Sequence, residues 1–89
     1  MVSEKMVQIL ACLLEGCNNG EPANSPITAV SVTELVISTA IDVDLGSEST
    51  IYKNLVKLMN LGFVRTGISR GKQFTYYITE KGEAFFEGL

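Results

Sequence analysis

Apolar residues at Met6, Ile9, Leu10, Leu13 and Leu14 recur at helical spacing, which predicts an amphipathic helix from Ser3 to Glu15 with one buried stripe and Gly16 as its stop. The periodicity then lapses. Cys17 to Pro26 is rich in Asn, Gly, Pro and Ser and reads as a mobile loop, followed by a short strand over Ile27 to Val30. Ser31, with Glu34 three residues on, has the spacing of a capping box and opens a second helix, Val32 to Ala40. After a connection from Ile41 to Gly46, Ser47 is placed to cap a third helix, Glu48 to Leu61, which buries Ile51, Leu55, Leu58 and Met59 and ends at Gly62. Phe63 to Ile68 and Gln73 to Thr79 are aromatic and β-branched runs separated by Ser69, Arg70, Gly71 and Lys72, the pattern of a β-hairpin. Thr79 then caps a short closing helix, Glu80 to Gly88.

Length and composition set bounds on this reading. Eighty-nine residues, 46% of them apolar, make one domain spanning residues 1–89 and leave no room for a second core. The longest apolar stretch, Met6 to Leu14, is interrupted by Gln8 and falls short of the roughly 20 residues a membrane span needs, so a soluble, cytoplasmic protein is expected. There is no histidine, and Cys12 and Cys17 alone cannot complete a four-ligand zinc site. Asp42 and Asp44 beside Glu48 are accounted for as acids near a helix start. No glycine-rich phosphate loop follows a strand, and no nucleophile is patterned with a base. The chain is therefore read as a non-enzyme, with no catalytic residue, metal site or cofactor.

Net charge is -3, which taken alone argues against a polyanionic partner. Its distribution reverses that inference. From Ser49 to Thr79 the chain carries Lys53, Lys57, Arg65, Arg70 and Lys72 and no acid, a local charge of +5, while the remaining residues set ten acids against only Lys5 and Lys81. The order of elements predicts an α+β winged helix-turn-helix: a three-helix core, a β-hairpin wing and a short C-terminal helix. At about 100 degrees per residue, Ser49, Thr50, Lys53, Lys57 and Asn60 share the face of the third helix opposite its apolar stripe, and Tyr52 flanks them. All of these can donate hydrogen bonds to base edges or phosphates in a major groove. At the hairpin tip, Arg70, Gly71, Lys72 and Gln73 are suited to a phosphate or the minor groove, and Arg65 is expected among the DNA contacts with them. Double-stranded DNA is the expected partner.

The stretch STIYKNLVKLMNLGFVRTGISRGKQFTYYITEKG, Ser49 to Gly82, resembles winged-helix repressors of the PadR and MarR type, the PadR family in particular. The resemblance implies a dimeric transcriptional regulator, with Thr50, Tyr52 and Lys53 at the DNA and Arg70 to Gln73 as the wing. PadR proteins continue into long dimerisation helices that these 89 residues do not contain. A homodimer is accordingly expected to use the first helix, with Cys12, Phe85, Phe86 and Leu89 at the interface. A module that binds a protein partner through its acidic surface stands as the alternative; the basic segment weighs against it.

Overall fold

Ser3 fixes where the first helix begins: its hydroxyl accepts from the Met6 amide at 3.3 Å, and its own amide donates to Met6 Sδ at 3.4 Å. In the computed structural model, which describes residues 2–16, 22–39, 45–69, 71 and 73–89, this helix is α1 (Glu4–Glu15). There follow β1 (Val30–Ser31), α2 (Val32–Thr39), α3 (Glu48–Asn60), β2 (Val64–Thr66), β3 (Thr75–Ile78) and α4 (Glu80–Glu87). Residues 40–44, with Asp42 and Asp44, together with Cys17, Arg70 and Lys72, lie outside the described residues.

The three strands form one antiparallel sheet in the order β1-β3-β2, with Val30 opposite Tyr76 and Val64 opposite Ile78. Met6, Ile9, Leu10 and Leu13 of α1 meet Leu35, Leu45, the Ile51, Leu55 and Leu58 stripe of α3, and Val64, Tyr76 and Ile78 of the sheet. Removing each such Leu or Ile side chain from water contributes about 1.5–3 kcal/mol. Met59, expected in this core, is half-buried at its edge, while Asn54 is buried beside the stripe.

The predicted capping box of α2 is present in full. Glu34 N donates to Ser31 Oγ at 3.2 Å, and Ser31 N donates back to Glu34 Oε1 at 3.4 Å. The strand expected over Ile27 to Val30 sits later, at Val30–Ser31, because Pro26 to Thr28 form a turn held by hydrogen bonds between Ser25 and Thr28. That turn leaves Ile27 84% exposed.

The tail of the loop read as mobile is anchored. Ala23 is fully buried, donates its amide to Leu13 O at 2.7 Å and accepts from Ile78 N at 2.8 Å, which ties the end of α1 to the sheet. The hairpin strands are shorter than the aromatic and β-branched runs that predicted them. Past Gly67, whose amide still donates to Thr75 O at 2.9 Å, the Ile68 amide donates to Pro26 O at 3.2 Å, so the chain turns from the ladder to the loop before β1.

The end of α3 and the start of α4 share one joint. Gly62, at φ 81, lets the Phe63 amide return to Leu58 O and the Gly62 amide to Met59 O, the paired bonds of a Schellman cap. Thr79 Oγ1 donates to Gly62 O at 2.7 Å and accepts from Gly82 N at 3.1 Å, closing α3 and capping α4 at once. Above this joint Phe63 stacks on Phe85, with ring centroids 4.7 Å apart, and Lys81 Nζ lies 5.8 Å from the Phe63 ring centre.

Candidate nucleic-acid interface

The face of α3 begins with its cap. Ser47 Oγ accepts from the Thr50 amide at 3.3 Å and donates to Thr50 Oγ1 at 3.2 Å, which holds the first turn and positions the Thr50 hydroxyl. From there Ser49, Thr50, Lys53, Lys57 and Asn60 are all exposed, opposite buried Ile51, Leu55 and Leu58. The helix thus presents hydroxyls at its amide-rich N-terminal end and two ammonium groups further along, an order suited to close approach first and charge second.

Tyr52 leaves this face on one flank and lines an open cleft of about 250 Å³ together with Glu48, Ser31, Thr33, Gln73, Phe74 and Tyr76. The cleft joins the starts of α2 and α3 to the strand leading out of the wing. Gln73 is exposed, and its amide nitrogen reaches Thr33 Oγ1 of α2 at 3.5 Å. Burial, and then the neighbouring Tyr52 phenol, push the Tyr76 hydroxyl above the ordinary tyrosine range. Tyr76 therefore stays a neutral O–H at physiological pH.

Arg65 is not brought to this cleft. It pairs with Tyr77 across β2 and β3, and alternation along a strand turns that pair to the opposite face of the sheet from Tyr76. There Arg65 lines a second open cleft with Asn24, Tyr77, Glu80 and Lys81. Gly71 at the wing tip adopts φ 64 and is exposed, as a tight hairpin turn requires.

Cys12, Phe85 and Phe86 are half-buried against the chain's own core, and Leu89 is 70% exposed. Much of the apolar surface that the closing helix offers is thus taken up within the chain, by Phe63 above all. Sequence reasoning does not find Glu48, Thr33 or Phe74 as site residues. It reads Glu48 only as a helix-start acid, although the abrupt end of acids at that position is visible in the sequence.

Helices on a three-stranded antiparallel sheet, with a hairpin beside the exposed face of the third helix, define a winged-helix-like fold. No family model matches the chain, and no curated protein matches it. Among solved structures it is similar to TubR from Bacillus megaterium pBM400, with a TM-score of 0.69 and 26% identity over 92% of this chain and 79% of that one. It is also similar to a presumed DNA-binding protein from Ralstonia eutropha JMP134, with a TM-score of 0.67 and 18% identity over 100% of this chain and 98% of that one. At 18% identity the second likeness speaks to fold alone. The resemblance to PadR and MarR regulators rests on the Ser49 to Gly82 motif. No helix among the described residues is long and apolar enough to cross a membrane.

Proposed function

We propose that this chain binds double-stranded DNA sequence-specifically as a transcriptional regulator, a repressor of PadR-like or MarR-like type acting as a homodimer. The observation that carries the reading is the outward face of α3. Ser49, Thr50, Lys53, Lys57 and Asn60 are exposed together, each a hydrogen-bond donor, inside a segment that holds five cations and no acid. Its support is the likeness to TubR, while the second solved structure supports the fold alone.

In this reading α3 enters the major groove, with Tyr52 giving its hydroxyl to the backbone at one side. The wing, through Arg70, Gly71, Lys72 and Gln73, lies on the backbone or in the minor groove. Arg65, which opens to a different cleft, stands at the margin of the footprint. Two copies meet along α1 and α4 through Cys12, Phe85, Phe86 and Leu89.

The test is DNA affinity measured across a range of salt concentrations. Lys53→Ala with Lys57→Ala weakens binding and lowers the slope of log K against log salt by about 0.9 for each phosphate no longer neutralised. Arg65→Ala has the smaller effect. An unchanged slope in the double variant would show that α3 does not face the phosphates.

A further inference from the structure

A carboxylate stands at the edge of the face assigned to DNA. Glu48 occupies the first turn of α3, the last acid before the stretch from Ser49 to Thr79 that contains none. Its position one turn before Tyr52 puts both on one flank of the helix, and both line the cleft that Phe74 closes from the wing side. Phe74 is 65% exposed and Tyr52 50%, an apolar frontage unusual beside a solvated helix terminus. Glu48 makes no ion pair with another described residue, whereas the Gln73 amide nearby is engaged by Thr33.

The carboxylate disfavours a phosphate directly against Glu48, even where Tyr52 and Gln73 at the cleft's rim reach the backbone. A duplex offers a carboxylate only its exocyclic amino groups, and in the major groove these are cytosine N4 and adenine N6. Adenine sets the N7 acceptor beside N6, which again meets a negative oxygen, and guanine presents acceptors alone. Cytosine sets an apolar C5–H edge beside N4, and aromatic side chains suit such an edge. The start of the groove-entering helix is also the part that reaches base edges in this class of fold.

We infer that Glu48 determines base specificity by accepting a hydrogen bond from cytosine N4, with Tyr52 and Phe74 packing against the apolar edge of that base or its neighbour. The inference rests on the DNA-binding reading above and adds to it a residue that works against general affinity: the same carboxylate that selects cytosine repels the backbone.

The experiment is enrichment from a random duplex pool with wild-type protein, Glu48→Gln and Glu48→Ala, each first checked for native helical content by circular dichroism. Glu48 is exposed, so both variants are expected to fold. The wild-type site is expected to hold a position where cytosine is favoured over guanine by roughly tenfold. Glu48→Gln moves that position toward adenine, since a carboxamide pairs with N6 and N7 together. Glu48→Ala flattens that position alone and raises affinity for unselected DNA by removing an anion near the phosphates. Identical base preferences in all three proteins, or a loss spread evenly over the site, would overturn this inference and leave the DNA-binding reading standing. A wild-type protein that binds no duplex overturns both.

Discussion

Gly82 lies in the first turn of α4, where replacing glycine by alanine ordinarily stabilises a helix by about 0.5–1 kcal/mol. At this position the sign reverses. A Cβ added there would collide with the backbone carbonyl of Phe63 and approach Ile78 Cγ1 to 2.8 Å. The carbonyl cannot step aside cheaply, because it accepts the Thr79 amide at 2.9 Å, and Thr79 in turn holds Gly62 O and caps α4. Overpacking of this kind costs about 1–3 kcal/mol, so after the propensity gain Gly82→Ala should lose about 1–2 kcal/mol. For a domain of this size that is a fall in Tm of roughly 5–15 °C. Gly88→Ala at the other end of the same helix is the internal control: its nearest atoms stand at 3.4 and 3.6 Å, an ordinary contact, and its stability should stay within about 0.5 kcal/mol of wild type. Thermal and urea melts followed by circular dichroism measure both. A Gly82→Ala protein as stable as wild type would mean that α4 slides freely over Phe63, and the joint described here would not exist.

Other substitutions probe the site more directly. Ser47→Ala removes the cap from the Thr50 amide and should cost about 1 kcal/mol in a urea melt, with DNA affinity falling as the first turn of α3 frays. Tyr76→Phe tests the buried phenol. Because the folded protein raises the Tyr76 pKa, the neutral form's contribution to stability is complete below the unfolded value of about 10 and is lost as pH rises through the folded value. Wild type should therefore lose stability above pH ~10 more steeply than Tyr76→Phe, and superimposable alkaline melts would contradict the burial of that hydroxyl.

The amino-acid pattern made the helices legible because each carries its instruction locally: a stripe at Met6, Ile9, Leu10 and Leu13, and caps at Ser31, Ser47 and Thr79. What it hid was set by distant partners. Ala23 sits in a polar stretch among Asn, Pro and Ser, with nothing around it to foretell burial; the carbonyl of Leu13 and the amide of Ile78 fix it. Ile27 is β-branched and next to Thr28, yet a turn takes it, because the Ser25 and Thr28 hydroxyls hold the chain there. The candidate interface divides the same way. The donors on α3 follow from the helical period, so their common exposure was foreseeable, whereas the cleft of Glu48, Thr33, Tyr52 and Phe74 draws on three segments that the fold alone brings together. Arg65 belongs to the basic segment by sequence but turns away from Tyr76, because strand register, not charge, decides which face of a sheet a residue occupies.

The hydroxyl of Thr79 has a mechanical meaning. By joining the carbonyl that closes α3 to the amide that starts α4, it ties the end of one helix to the beginning of the other. Under the proposed DNA-binding reading, a tilt of α3 in a groove would reach α4 through this joint. If two copies pair through α4, the separation of their α3 helices depends on this joint, and with it the spacing of the two half-sites on DNA.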